Sequence, residues 1–62
     1  MGIKKHREAA GMSQQELAEK MKVTQSAVAK WENGETRPRV DKLAEMAELF
    51  GCSMDELMRK EE

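Results

Sequence analysis

The chain has few of the residues that build disulfide-bonded, sheet-rich or membrane proteins. Its 62 residues include one cysteine, one proline and two aromatic residues, with no tyrosine. The single cysteine, Cys52, excludes an internal disulfide and a Cys-rich zinc site, and it is typical of a reducing compartment. No apolar run approaches the roughly 18 residues of a membrane span, and no secretory signal is present. We therefore expect a cytoplasmic protein that makes no membrane contact.

The length and the residue pattern predict a single all-α domain over residues 1–62. A chain of this size is close to the lower limit for a self-supporting core, so no second sensory or catalytic domain fits. No segment alternates apolar and polar residues in the manner of a strand rich in Val, Ile or Thr. The sequence also has no nucleophile–base pair, phosphate-binding loop or metal constellation, so we expect neither an enzyme nor a cofactor.

Capping signals divide the chain into five predicted helices. Ser13-x-x-Glu16 and Ser53-x-x-Glu56 are capping boxes, and Thr24 is suited to cap a third helix. Gly11 is placed to end the first helix in a left-handed conformation. The predicted helices cover approximately residues 2–10, 14–21, 25–33, 40–50 and 54–60. Their inward-facing residues are expected to be Ile3, His6 or Arg7, and Ala10; Leu17, Ala18 and Met21; Ala27, Val28 and Trp31; Val40, Leu43, Ala44, Ala47 and Phe50; and Met54, Leu57 and Met58.

The third helix has a polar face that is suited to reading the edges of DNA bases. At 100° per residue, this face lies opposite the apolar stripe and contains Gln25, Ser26, Ala29, Lys30 and Asn33. Gln can bind adenine through two hydrogen bonds, Lys can reach guanine, and an Ala methyl can meet a thymine methyl. For an isolated helix the commoner interpretation is an amphipathic helix with a solvated outer face. The preceding helix and turn favour a helix-turn-helix that places this face in the major groove.

The overall charge argues against nucleic-acid binding, but the distribution of charge does not. The net charge is −1, whereas nucleic-acid-binding proteins are usually basic. Residues 1–39 carry eight Lys and Arg against five Glu, while residues 40–62 carry three against seven acidic residues. We expect a basic DNA-facing side, an acidic opposite side and modest non-specific affinity for DNA.

The motif residues resemble those of the Cro and C1-repressor type helix-turn-helix family, also called the XRE family. The resemblance covers approximately residues 3–58 and rests on the pattern Arg7…Ser13-Gln14-x-x-Leu17-Ala18…Val23-Thr24-Gln25-x-Ala27-Val28-x-Lys30-Trp31-Glu32-Asn33-Gly34…Arg37-Pro38. It implies a compact five-helix, lambda-repressor-like fold and sequence-specific binding to double-stranded DNA.

The resemblance also implies roles for individual residues. The third helix would be the recognition helix, with base contacts from Gln25, Ser26, Ala29 and Lys30. Phosphate contacts are expected from Gln14, Thr24, Asn33, Arg37 and Arg39. Arg7 and Glu32 are expected to form a structural ion pair that orients the recognition helix.

Three residues depart from what capping chemistry or the family pattern would supply. Arg39 stands where a Ser or Asp cap is expected, which a phosphate contact would explain, although a solvated arginine is the alternative. His6 occupies a usually aliphatic position. It is expected to be half-buried with one hydrogen bond rather than a pH sensor, and a metal role has less support because no Cys or second His lies at ligand spacing. Lys22 stands where the family usually has Gly, so the turn is either strained or different in geometry.

The C-terminal helices are the expected contact region for partners. Domains that resemble this one commonly pair there, which predicts a weak homodimer on a palindromic operator. Met46, Met54 and Met58 cluster on these helices, either to fill core gaps or to form an adaptable surface. The primary expectation is a transcriptional regulator, and specifically a repressor. The alternative is a protein-interaction module, such as an antitoxin or a partner-controlled regulator, that uses its acidic Met-rich side.

Overall fold

In the computed structural model, which describes residues 2–59, the chain folds into five helices and these residues include no strand. The helices are α1 (Ile3–Ala9), α2 (Gln14–Met21), α3 (Gln25–Asn33), α4 (Val40–Phe50) and α5 (Met54–Met58). The predicted all-α, five-helix fold is therefore confirmed. Helix α1 is shorter than predicted at both ends, and α5 ends at Met58 because Arg59 is already extended. Residue 60, the end of the last predicted helix, lies outside the described residues.

The helix termini are fixed by the expected capping residues. Ser13 and Glu16 form a complete capping box, in which each side chain accepts a hydrogen bond from the other residue's backbone N–H. The Oγ1 of Thr24 accepts from the N–H of Ala27 at 3.1 Å. At α5 the Oγ of Ser53 accepts from the N–H of Glu56 at 3.1 Å, but the Glu56 carboxylate faces His6 instead of completing a box. Caps of this kind contribute about 1 kcal/mol each.

The core is formed by apolar residues from all five helices. Six side chains are almost completely excluded from solvent: Ile3, Leu17, Met21, Val28, Met46 and Leu57. Trp31, the largest side chain of α3, is only 6% exposed and lies on the same side as Val28. Of the stripe predicted for α3, Val28 and Trp31 are therefore buried and Ala27 is half-buried against the core, and the opposite face of the helix is turned outward.

Helix α4 is rotated relative to the predicted inward face. Val40 is 74% exposed and Ala44 is exposed, so both were wrongly assigned to the core. The buried face contains Leu43 and Ala47, as predicted, together with Met46, and the predicted Phe50 is half-buried one turn later. Both sets fit the helical period, and burial of the larger Met46 side chain removes more apolar surface than burial of Ala44.

Two residues at the ends of other helices were also wrongly placed in the core. Ala10 is exposed because α1 ends before it, and Met58 at the end of α5 is 50% exposed. In both cases the apolar stripe extends beyond the part of the helix that neighbouring helices cover. No helix among residues 2–59 has the length and apolar character needed to cross a membrane.

The turn between α2 and α3 has a left-handed residue at Lys22. Its φ of 59° and ψ of 43° make it the one non-glycine residue with positive φ in the described part of the chain. The backbone N–H of Val23 donates to the carbonyl of Ala18 at 3.0 Å and closes the end of α2. Of the two alternatives, the structure therefore shows the strained one: Lys22 adopts the conformation that glycine adopts more easily.

Candidate nucleic-acid interface

The outer face of α3 presents polar side chains that make no internal hydrogen bonds. Gln25, Ser26 and Lys30 are exposed, and Ala29 between them is half-buried. Within residues 2–59, no hydrogen bond or ion pair joins the side chains of Gln25, Ser26 or Lys30 to another residue. Their donors and acceptors are therefore free to bind groups outside the protein, while Val28 and Trp31 fix the helix from the opposite side.

The loop after α3 adds positive charge next to this face. Asn33 ends the helix, Gly34 follows in a left-handed conformation with φ of 78°, and Arg37 and Arg39 are both exposed. Pro38 between the two arginines is buried, so it anchors the loop while its neighbours face solvent. Neither arginine forms an ion pair within the part of the chain described here. The predicted phosphate-contacting residues of this loop are therefore accessible.

Arg39 stands at the N-cap of α4 and provides no capping hydrogen bond. Its backbone is extended, with φ of −64° and ψ of 158°, and its side chain does not bind the first turn of the helix. A Ser or Asp at this position would stabilise α4 by about 1 kcal/mol. The structure thus confirms that α4 has no side-chain cap, as the sequence indicates, and the Arg39 side chain is exposed.

A largely buried ion pair connects α1 to the end of α3. The Nε of Arg7 donates to Glu32 Oε2 at 2.7 Å, and its Nη2 donates to Oε1 at 3.3 Å. The two side chains are only 10% and 3% exposed. The hydrogen bond to Glu32 raises the pKa of Arg7 and outweighs the opposing effect of burial. The pair holds α1 against the end of α3 next to the exposed face.

Two further groups complete this network, and neither was predicted from the sequence. The Nη1 of Arg7 donates to the backbone carbonyl of Met12 at 2.7 Å. The side-chain amide of Gln14 donates to Glu32 Oε1 at 2.9 Å. The Gln14 side chain, which the family resemblance assigns to a phosphate, thus also orients Glu32 from the start of α2. The sequence offers no signal for this contact because residues 14 and 32 meet only through the packing of α2 on α3.

A lysine of α4 caps the end of α2, and this contact was also not predicted from the sequence. The Nζ of Lys42 donates to the backbone carbonyl of Met21 at 2.8 Å, and it lies 3.7 Å from Glu45. A positive charge at a helix C-terminus is favourable because the unpaired carbonyls there carry partial negative charge. Lys42 therefore attaches the end of α2, immediately before the turn, to α4.

Thr24 uses only part of its hydrogen-bonding capacity inside the protein. Its hydroxyl oxygen accepts from Ala27, while its hydroxyl hydrogen has no partner among the described residues. The predicted contact residues Thr24, Gln25, Ser26 and Lys30 all lie in the first two turns of α3 or at its cap. The structure therefore brings these four predicted contact residues to one helix and its cap.

Matches to known proteins cover most of the chain. A family model described as "Helix-turn-helix" matches residues 3–57. The chain is similar to the HTH-type transcriptional activator BcrR of Enterococcus faecalis, with 35% identity over 51 residues, which are 82% of this chain and 25% of that protein. It is also similar to the 26 kDa repressor protein of Escherichia phage HK022, with 47% identity over 40 residues, which are 64% of this chain and 17% of that protein. The aligned part is thus a quarter or less of either relative. No solved structure matches the chain.

Proposed function

Since the chain belongs to the helix-turn-helix family, as the resemblance predicted, we propose that it is a sequence-specific DNA-binding regulator of transcription. The observation that carries this proposal is the outer face of α3, where Gln25, Ser26 and Lys30 are exposed and have no partner in the described protein. The two relatives are named as an activator and a repressor, and neither name describes an enzyme. Both names support regulation of transcription, and they differ in whether transcription is activated or repressed.

The first turns of α3 supply the proposed base contacts. Gln25 can donate to and accept from adenine, and Lys30 can donate to guanine. Ser26 can do either with its hydroxyl, and the half-buried Ala29 offers a methyl group at close range. An α-helix fits the major groove, where each base pair presents a different pattern of donors and acceptors. In this arrangement the N-terminal part of α3 reads the sequence.

The proposed phosphate contacts come from residues around α3 that have donors left over. The Gln14 amide has two hydrogens, and Glu32 takes one, so the other can meet a phosphate oxygen. The hydroxyl hydrogen of Thr24 is free in the same way, and Asn33, Arg37 and Arg39 are exposed. Contacts of this kind fix the position of the protein on the duplex but carry no sequence information.

We further propose that the chain acts as a repressor that binds a palindromic operator as a homodimer. The C-terminal helices expose Leu49, which is 38% exposed, and Met58, which is 50% exposed. Burying these side chains against a second copy would remove apolar surface from water. A two-fold dimer would place two α3 helices in successive major grooves, roughly 34 Å apart.

The dimer is tested by equilibrium sedimentation with and without an operator duplex. We expect a weak dimer in the free protein and a two-to-one complex on DNA, both weakened by Met58→Glu. A matched substitution at another exposed apolar residue, Val40→Glu, tests whether the effect belongs to the C-terminal end. A monomer under every condition would contradict the proposed dimer.

The alternative, a protein-interaction module with an adaptable Met-rich side, has less support. Met46 is completely buried and Met54 is half-buried against the core, which leaves Met58 as the exposed member of the three. These methionines therefore fill the core more than they form a surface. An acidic side remains on α4 and α5, with Glu45, Glu48 and Asp55 exposed.

The proposed function is tested by selection from a library of random DNA duplexes. We expect a short enriched motif with two-fold symmetry, because a C2 dimer presents the same α3 face to both halves of its site. Enrichment of no sequence, together with binding that depends on salt alone, would contradict sequence-specific recognition.

A further inference from the structure

A second group of polar side chains lies where α1 meets the connection between α4 and α5. It contains His6 of α1, Cys52 of the connection and Glu56 of α5. One potential ligand atom from each of the three lies within 4.8 Å of the others. His6 and Cys52 are half-buried, and Glu56 is exposed. Residues 6 and 52 are far apart in the sequence, so no motif spacing could reveal this group.

The backbone fixes which nitrogen of the neutral His6 ring carries the hydrogen. Its Nδ1 lies 2.8 Å from the carbonyl oxygen of Gly2, which can only accept a hydrogen bond, so Nδ1 carries a hydrogen. In the neutral ring Nε2 is then unprotonated, and it lies 3.6 Å from Glu56 Oε2. Metal-binding histidines usually have their second ring nitrogen held in this way by a carbonyl or carboxylate. The His6 ring also lies beside Phe50, at 6.1 Å between centroids, which restricts its rotation.

The distances suit a tetrahedral metal ion. Bonds of about 2.0–2.3 Å from Zn²⁺ to N, O and S atoms place neighbouring ligand atoms roughly 3.3–3.8 Å apart. The His6–Glu56 distance of 3.6 Å already falls within this range. The sulfur of Cys52 lies within 4.8 Å of a ligand atom of each of the other two residues, so it needs to approach by at most about 1 Å.

We propose that His6, Cys52 and Glu56 form a binding site for a divalent transition-metal ion, best suited to Zn²⁺, with a fourth position open to water. Mixed sulfur, nitrogen and oxygen ligands favour zinc over magnesium or calcium, which prefer oxygen alone. On binding, the Cys52 thiol forms a sulfur–metal bond and releases its proton to solvent, and His6 and Glu56 bind without oxidation or reduction.

In the metal-free protein the surroundings of Cys52 favour the thiol over the thiolate. Burial and, to a smaller extent, the negative charge of Glu56 raise the pKa of the Cys52 thiol. A bound cation would compensate the Glu56 charge and favour the thiolate. The ion would connect α1 to α5 beside an existing hydrogen bond from the Gly2 N–H to the Leu57 carbonyl, at 2.8 Å. Because α1 also carries Arg7, the site would stabilise the helix that holds the end of α3.

Titration of the untagged, reduced chain with Co²⁺ tests the site through its absorption spectrum. Cobalt replaces zinc in tetrahedral sites, and a thiolate ligand produces a charge-transfer band in the near ultraviolet. We expect this band, intense visible bands typical of tetrahedral Co²⁺, and displacement of both by one equivalent of Zn²⁺. No charge-transfer band at millimolar Co²⁺ would overturn the proposal.

Variants then assign the ligands. Cys52→Ser and His6→Gln are expected to lose the charge-transfer band or to weaken metal binding at least about tenfold. Glu56→Gln should weaken binding, whereas Asp55→Asn, which removes an exposed acid from the same helical turn, should not. Zn²⁺ at one hundred times its Kd should raise the Tm of the wild type by roughly 20 °C and leave that of Cys52→Ser unchanged. Equal zinc affinity in wild type and Cys52→Ser would overturn the site even if both fold normally.

Discussion

At the scale of single residues, two positions determine how α3 is held. Lys22 forms the turn that precedes α3 in a left-handed conformation, and Glu32 at the end of α3 accepts hydrogen bonds from Arg7 and Gln14. One stores backbone strain, and the other carries a charge that is largely excluded from water. Both therefore couple the stability of the domain to the orientation of its exposed polar face.

Replacing Lys22 by glycine is expected to stabilise the protein by about 0.5–1 kcal/mol. Glycine relieves the strain of the left-handed conformation, on the order of 1–2 kcal/mol, and loses part of that gain to its greater freedom in the unfolded chain. The free energy of unfolding in urea measures the change. Lys22→Ala is the matched control, because it removes the same charge and keeps the strain. A similar gain in both variants would show that charge, rather than backbone conformation, is responsible.

Replacing Glu32 by alanine is expected to lower stability by about 3 kcal/mol and to weaken DNA binding as well. The substitution leaves the Arg7 guanidinium buried without its counter-charge and removes the acceptor that orients Gln14. Thermal or urea unfolding measures the first effect, and titration of the selected duplex at low temperature measures the second. Glu35→Ala, at an exposed glutamate three residues later, should change stability by less than about 0.5 kcal/mol. Normal stability in Glu32→Ala would show that the pair has no structural role.

At the scale of helices, the bounds of α2, α3 and α4 were predictable from local chemistry, and the rotation of α4 was not. Ser13, Thr24 and Gly34 mark helix ends through bonds and conformations within a few residues, so the sequence contains the necessary information. The inward face of α4 depends on what it packs against. Its apolar residues fit two overlapping stripes, and only the assembled core selects the one that contains Met46 rather than Val40.

The rotation of α4 predicts unequal losses of stability for two alanine substitutions. Met46→Ala should lower the free energy of unfolding by about 2–4 kcal/mol because it leaves a cavity among fully buried side chains. Val40→Ala should change it by less than about 0.5 kcal/mol, because Val40 is exposed. Urea unfolding of the two variants compares them directly. A larger loss for Val40→Ala would support the face that was predicted from the sequence.

The candidate interface was predictable to the extent that it lies on one helix. The exposed residues of α3 follow from helical periodicity, because Val28 and Trp31 mark the buried side and the opposite side must face outward. Gln14 and Glu32, which are in contact, are separated by 18 positions in the sequence. Lys42 and Met21 are separated by 21. Such contacts form only when helices pack together, and no local pattern specifies them. The group of His6, Cys52 and Glu56 escaped prediction for the same reason.

At the scale of the whole molecule, charge is unevenly divided along the chain. Residues 1–39 have a net charge of +3, and residues 40–62 have a net charge of −4. A protein that neutralises few phosphates releases few counterions, so its non-specific binding should be weak and should depend only moderately on salt. Specificity must then come mainly from the base contacts of α3, and this is the central claim of the proposed function.

The most direct test measures the affinity ratio between the selected duplex and a scrambled duplex at two salt concentrations. For the double variant Gln25→Ala, Lys30→Ala, we expect this ratio to fall at least about tenfold, while weak salt-dependent binding persists. The control, Gln15→Ala, Lys20→Ala, changes the same residue types on the exposed side of α2 and should keep the wild-type ratio. If the double variant retains the full ratio, or if the control loses as much, then α3 does not read the DNA sequence.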